Sequence, residues 1–362
     1  MIMEALVYSD SFQLLAIVDS YESFIWTERY NEYGDFELYL GANDPSIQYL
    51  QIGYYLVKRD TTRAMVIESI EYEFDAESGS HVTITGRSLE SILDRRVVWS
   101  QTVINDTIQN GVKTLLNDAI ISPTNTDRKI SNFTFSESTD TSITSLTVDT
   151  QYTGENLYDV ISELCKTNNI GFKIIFDDNF NFVFSLYNGI NRSYQQTENS
   201  YVIFSSTFDN LISSDYIESN SNYKNVALVG GEGEGTAQKF ASSGSGTGLT
   251  RRETYVDASS VSSSTDSGTI SMDEYTKLLV EKGDAALEEA KYTKTFDGEM
   301  DTKEVFVYHQ DFEIGDIVEI LDMYGHEATS RITEMIQSMS SSGYTTYPTF
   351  DTPEVVTEES TS

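Results

Sequence analysis

Few residues in this sequence have the type and spacing that chemistry requires. The block ALVGGEGEGT (residues 227–236) puts a strand before closely spaced glycines, an arrangement that cradles a phosphate when a Lys-Ser or Lys-Thr pair and a helix follow. Neither follows here, and Glu232 and Glu234 would face the phosphates, so the block reads as an inter-strand loop. His81, His309 and His326 stand singly, without metal-ligand spacing or a neighbouring nucleophile. Cys165 falls on the apolar face of a helical pattern, where a thiol behaves as a small core group rather than a nucleophile. The acids at 177–179 lack the 12-residue calcium-loop pattern and read as a hairpin tip. A glycosidase needs only two well-placed acids, but nothing singles out a pair. The sequence therefore predicts no catalytic residue, no metal site and no cofactor.

The arginines stand out instead. In GRSLESILDRRVVW (residues 86–99), Arg87, Arg95 and Arg96 crowd around a short amphipathic segment, in a chain with 23 Lys and Arg against 58 Asp and Glu and a net charge of -35. Two readings are compatible. Arg95 and Arg96 close a short helix, where cations favour the carbonyl end by about 0.3 to 1 kcal/mol, with Glu90 and Asp94 as local partners. Guanidinium groups also bridge carboxylates across the seam of a self-repelling assembly, because Arg pairs bidentately and tolerates interfaces.

The charge excludes adhesion to nucleic acid or anionic lipid over most of the surface, since a duplex is bound chiefly by neutralising its phosphates. It suits either plain solubility or the wall of a conduit that DNA crosses without sticking. No apolar run reaches the roughly 18 residues that span a bilayer, and the start lacks a basic segment followed by an apolar one. One cysteine allows no internal disulfide.

The elements that must position these residues are mostly strands in the first hundred residues, where YYLVKRD, AMVIESIEYEF and HVTIT surround the turn DAESGS. Ser88 is placed as the N-cap of a helix over 88–94 with Leu89, Ile92 and Leu93 on one face. Helical stripes follow at 105–121 and 155–168, and FKIIF and FNFVFSLY flank a hairpin turn. Polar stretches at 242–248 and 257–271 read as loops, and Ser271 with Glu274 forms a capping box that opens a helix containing Gly283.

An internal comparison adds a constraint. IGYYLVKRD (52–60) aligns without gaps on IGDIVEILD (314–322), and VIESIE (66–71) resembles ITEMIQ (332–337); Gly34-Asp35 and Gly298-Glu299 precede the two copies.

Five blocks, YGDFELYL (33–40), GRSLESILDRRVVW, GENLYDVISELCKTNNIGFKI (154–174), NVALVGGEGEG (225–235) and GDIVEILDMYGHEATSRITEMI (315–336), together resemble the siphophage tail hub or tail-associated (tail-tip) protein family, itself similar to the baseplate hubs of contractile phages. The resemblance spans nearly the whole chain in order. It implies a β-rich α+β fold with two related tail-tube-like β-barrels and intervening α+β modules. The expected divisions are a first barrel with a short helix at 1–100, an α+β module at 101–205, a second barrel from 206–235 and 298–345, an inserted loop-helix module at 236–297, and an acidic disordered tail at 346–362.

The resemblance further implies a homotrimer whose six barrels form a pseudo-sixfold ring. Such a ring meets a hexameric distal tail protein and the tail tube protein, contacts the tape measure protein, and opens for DNA that is only in transit. It implies a location at the distal end of the phage tail, after synthesis in the bacterial cytoplasm, with no stable membrane association. Family members often continue into lysin or receptor-binding regions; this sequence stops at 362, so separate receptor-binding or tail fibre proteins are expected. A tail-carried cell-wall hydrolase and the hub of a phage-like injection machine are the alternatives. Arg87, Arg95, Arg96, Glu232 and Glu234 are the interface candidates.

Overall fold

The computed structural model describes residues 3–355, apart from 60, 78, 209, 266–267, 301–304, 322, 324–326 and 352–353. His326 and residues 356–362 of the expected tail lie outside the described residues. The chain divides into two compact units. One is built from Met1–Ser91, Gly171–Tyr216 and Thr295–Ser362, the other from Ile92–Ile170 and Ile217–Lys294. Residues 171–205 thus group with the amino-terminal strands, and 226–235 with the helical module, a different partition from the five sequence segments.

The first unit is β-rich. Its strands are β1 (Ala5–Tyr8), β2 (Leu14–Val18), β3 (Ser23–Arg29), β4 (Asp35–Gly41), β5 (Tyr55–Lys58), β6 (Ala64–Asp75), β7 (Gly79–Ser88), β8 (Gly171–Phe176), β9 (Phe182–Tyr187), β10 (Ile203–Ser205), β11 (Leu211–Ser219), β12 (Thr293–Met300), β13 (Ile317–Leu321), β14 (Glu327–Ser340) and β15 (Gly343–Phe350). Alternation drives the pleat: Phe36, Leu38 and Leu40 of β4 and Val82 and Ile84 of β7 are buried, with less buried residues between them. Residues 346–350, expected in the disordered tail, complete β15, and Phe350 is buried.

The main sheet runs β11-β12-β15-β14-β3-β4-β7-β6-β5-β1-β2, with β13 pairing β14 and β10 pairing β13. The path is a repeat. Starting from β3, the order β3-β4-β7-β6-β5-β1 matches β11-β12-β15-β14-β13-β10. One pairing differs in sense: β10 is parallel to β13, whereas β1 is antiparallel to β5.

Backbone bonds confirm the correspondence. Gly53 N donates to Ile67 O (2.8 Å) and Ile67 N to Tyr54 O (2.9 Å); Gly315 N donates to Ile332 O (2.8 Å) and Ile332 N to Asp316 O (2.9 Å). Both glycines have positive φ, +86° and +96°, which favours glycine. The register of β6 shifts between Ile67 and Ser69 and that of β14 between Ile332 and Glu334, a bulge at the same place in each copy. Ile332 therefore corresponds to Ile67, one residue along from the alignment read in the sequence.

Two related β-barrels were expected; no closed barrel is seen among the described residues, and the copies join edge to edge through β14 and β3, from Glu334 opposite Arg29 to Ser340 opposite Ser23. This junction carries both copies into one sheet. Each copy keeps its own core. Phe24, Trp26, Phe36 and Leu38 lie in the first, and Phe204, Phe312, Val318 and Phe350 in the second.

Charge is buried in both. Beside the first core, Arg63 Nη1 donates to Glu90 Oε1 (2.8 Å), Nη2 to the Tyr187 hydroxyl (3.2 Å), and Nε lies 3.9 Å from Glu28 Oε2. Glu28 also accepts from Trp26 Nε1 and the Tyr308 hydroxyl, both at 2.9 Å. Burial pushes the Glu28 carboxyl up, but Arg63, His309, Lys58 and the Trp26 bond together hold it below the usual range. In the second copy Arg331 Nη1 donates to Gly315 O (2.5 Å), Asn188 Oδ1 (3.0 Å) and the Tyr30 hydroxyl (3.3 Å), all uncharged acceptors.

In the second unit, Thr102–Thr107 pairs antiparallel with Thr147–Tyr152. Helix α1 (Ile108–Leu116) is capped by Thr107 and α2 (Leu157–Thr167) by Asn156. Val226–Gly230 pairs antiparallel with Phe240–Gly244 and parallel with Glu253–Asp257. Helix α3 (Met272–Glu289) opens with the reciprocal Ser271–Glu274 capping box and packs Tyr275, Leu278 and Leu279 against Ala227 and Val229. Gly283 is what permits that approach: a Cβ there would lie 2.8 Å from Ser243 Cβ and 2.9 Å from Val229 Cγ2.

Candidate functional site

Cys165, His81, His309 and Asp177 are each engaged in local packing or hydrogen bonds. Among the described residues no group of three or more His, Cys, Asp or Glu is placed to hold a metal ion. Cys165 is fully buried, and burial pushes its thiol well above the usual range, which suppresses the thiolate. His81 Nε2 lies 3.0 Å from Glu22 Oε1 and its ring stacks on Tyr39, while His309 Nδ1 lies 2.9 Å from Glu313. Asp177 accepts from the backbone of Asn179 and Asn181 at 2.8 Å, which makes 177–181 the tip of the β8–β9 hairpin. A cavity between Tyr152, Glu163 and Lys282 in the second unit has about 20 Å³, room for about one water.

The glycine block is the turn between two antiparallel strands, as expected of a loop. Glu232 accepts from Lys239 Nζ (2.5 Å) and Ser263 N (2.9 Å), as well as from the Ser263 hydroxyl. The Lys239 bond and then the two Ser263 bonds hold its carboxyl down to about 2. Glu232 is therefore committed within its own unit. Glu234 is exposed and precedes the one-turn helix Gly235–Ala237 without capping it.

The three arginines of the opening block separate. Arg87 sits in β7 and grips Glu68 of β6 bidentately (Nε 2.7 Å, Nη2 3.0 Å), with its guanidinium 4.8 Å from the Tyr33 ring centroid. Ser88 does not cap a helix. It ends β7, its hydroxyl accepts from Gly34 N (2.7 Å), and residues Leu89–Arg95 form a 3-10 helix that buries Leu89, Ile92 and Leu93. Glu90 points into the Arg63 network, and Asp94 accepts from Asn156 Nδ2 (2.9 Å). Glu90 is thereby committed to Arg63.

Arg96 donates to the carbonyls of Arg95 (3.0 Å) and Arg128 (3.2 Å), and its Nε is sealed from solvent without a partner. Burial, then Arg128, then Arg95 push its guanidinium below the usual range. Arg128 donates to Val97 O (2.8 Å) and Asp118 O (3.4 Å) and lies 5.4 Å from the ring centroid of Trp99, which is 73% exposed. Arg95 is exposed. Among the described residues, none of these three guanidiniums makes an ion pair with a carboxylate. Arg128 and Trp99 were not singled out in the sequence: Arg128 is 32 residues from Arg96, and no periodicity links them.

A family model described as Siphovirus ReqiPepy6 Gp37-like protein matches residues 4–350. No curated protein matches the chain. Among solved structures, the tail protein from Neisseria meningitidis MC58 is similar over 97% of this chain and 97% of its own, at 13% identity and TM-score 0.58. The 43 kDa tail protein of prophage MuSo2 from Shewanella oneidensis is similar over 96% and 98%, at 12% identity and TM-score 0.58. The prophage tail protein gp18 from Listeria monocytogenes EGD-e is similar over 96% and 94%, at 15% identity and TM-score 0.51. At these identities the likeness is one of fold.

Proposed function

Since this chain belongs to the Siphovirus ReqiPepy6 Gp37-like protein family, we propose that it is a structural, non-enzymatic hub of a phage tail tip, forming a trimeric ring at the distal end of the tail tube. The repeated strand path carries this reading, because two equivalent copies per chain give three chains six equivalent wall segments. Such a ring adapts threefold to sixfold symmetry and serves as the tube-like barrel wall expected from the resemblance. The sheet ends in β11 and β2, and an end strand is a ready site for pairing with another chain.

The net charge of -35 suits a wall past which DNA moves without adhering. In this reading the ring opens for DNA passage and contacts the distal tail, tail tube and tape measure proteins. Receptor binding falls to other proteins. The buried Cys165 supports the non-enzymatic part. Of the five interface candidates, Arg87 and Glu232 are occupied within their units, while Arg95, Arg96 and Glu234 are left to meet a neighbour.

Cryo-EM of intact particles, with this chain traced in the map, tests the proposal. Three copies around the tail axis are expected, and one or six would overturn it.

A further inference from the structure

Arg95, Arg96 and Arg128 form a cluster that, among the described residues, makes no ion pair with a carboxylate; Asp118, whose backbone carbonyl accepts from Arg128, supplies the acid whose charge Arg128 feels. Guanidiniums brought close together repel one another, and burial of Arg96 weakens the solvent screening that would otherwise relieve this. Their donors turn to backbone carbonyls, and Arg96 Nε, a strong donor, is enclosed with no acceptor. Beside them Trp99 is 73% exposed and Val97 38% exposed. A cationic cluster flanked by an open indole has the composition of an interface anchor, since Trp and Arg dominate binding energy where water is excluded.

Its complement is the β6–β7 hairpin. Toward its tip, exposed side chains alternate between Glu71 and Glu73 on one face and Tyr72 and Phe74 on the other. Phe74 is 81% exposed and Tyr72 67% exposed, although Val82, directly across from Tyr72, is buried. Among the described residues Glu71 and Glu73 make no ion pair. The hairpin thus presents acids and aromatics at one tip, and the cluster presents guanidiniums and an aromatic.

We propose that the Arg95, Arg96, Arg128 and Trp99 patch receives the β6–β7 hairpin tip of a second copy of this chain. The tip enters end-on, so that Glu73 on one face accepts from the exposed Arg95 guanidinium while Phe74 on the other packs on Trp99. Charge complementarity selects the occupant. The hairpin tip of a second copy brings two carboxylates and two exposed rings together within four residues, matching guanidiniums beside an indole. The inference rests on self-assembly as proposed above and names the seam that performs it.

The test uses the full chain in two separately tagged populations, one carrying a photo-crosslinking benzoylphenylalanine in place of Phe74. Irradiation of the mixture, and of particles grown with the same substitution, should join the two tags, with the adduct mapping to Trp99 or its neighbours. In parallel, Arg95→Glu with Arg96→Glu should weaken self-association at least tenfold by sedimentation at low salt. Mixing that variant with Glu71→Arg, Glu73→Arg chains should restore it.

The crosslink is read on an unaltered patch, so it stands even if the charge-reversed variant fails to fold. An adduct elsewhere on this chain, an adduct to a different tail protein, or no adduct in either sample would overturn the pairing. Three copies per particle together with any of those results would refute this seam and leave the trimeric hub standing. A count of one or six refutes the hub itself.

Discussion

The two copies of the strand path follow one backbone plan and differ in what they hold between their strands. In the first, β3 and β4 are joined by residues 30–34; in the second, the equivalent β11 and β12 are separated by residues 220–292, all of which belong to the second unit. The sheet accepts this because a connection at a strand end costs little beyond loop closure, which grows only slowly with length. What is kept is backbone: a positive-φ glycine whose N–H donates to an isoleucine carbonyl, the return bond from that isoleucine's N–H to the carbonyl of the residue after the glycine, and the bulge that follows. Side chains are free to diverge. One copy sets the buried Arg63 against two carboxylates; the other sets the buried Arg331 against neutral acceptors and pairs its buried acid, Asp316, with Arg192 (2.6 Å).

That contrast is open to direct attack. The largest effect is expected at Arg63. Arg63→Ala leaves Glu28 and Glu90, 3% and 1% exposed, without their cation. It should lower stability by about 3–5 kcal/mol, the cost of orphaning buried charge. Arg331→Ala removes hydrogen bonds to neutral groups and should cost about 1–3 kcal/mol. Urea unfolding of both variants settles the order, and equal losses would mean that the copies do not differ in the way described.

The glycines come next. A Cβ at Gly315 would lie 2.5 Å from the Tyr30 ring, whereas one at Gly53 meets nothing within 4 Å. Gly53→Ala should therefore cost only the left-handed backbone term, about 1–2 kcal/mol. Gly315→Ala adds an overpacking cost of about 1–3 kcal/mol. Thermal melts of the pair would show a lower midpoint for Gly315→Ala.

The smallest effect concerns pH. Because the Glu28 carboxyl is held below its ordinary 4.5 in the fold, it stabilises the protein fully above that value, and the contribution is lost as pH falls through the folded pKa. Glu28→Gln should flatten the acid limb of the stability profile while Asp177→Asn, at an exposed turn, leaves most of it. Superimposable acid limbs for wild type and Glu28→Gln would count against the network.

Much of this was legible in local pattern. The alternation in YGDFELYL, the stripe of α2 with Cys165 on its buried face, and the Ser271–Glu274 box depend only on near neighbours. The repeat was legible too, with its second strand displaced by one residue, because the connection from Gly53 to Ile67 is shorter than that from Gly315 to Ile332 and similar apolar strands do not announce their register. What escaped was decided by distant partners. Glu90 looked like a companion to Arg95 and instead meets Arg63, 27 residues back. Ser88 looked like a cap and instead holds Gly34, 54 residues away. The joining of two expected barrels into one sheet depends on β14 meeting β3, and neither strand's sequence names its neighbour.

That last pairing has a consequence for how the molecule is made. Arg29 and Glu334, bonded at 2.5 Å, are 305 residues apart. On a ribosome adding about 5–20 residues per second, β3 waits roughly 15–60 s for its second neighbour after β4 has arrived. During that time one edge of β3, a strand carrying Phe24 and Trp26, is an unfilled template for any other strand, including one from a sister nascent chain on the same message.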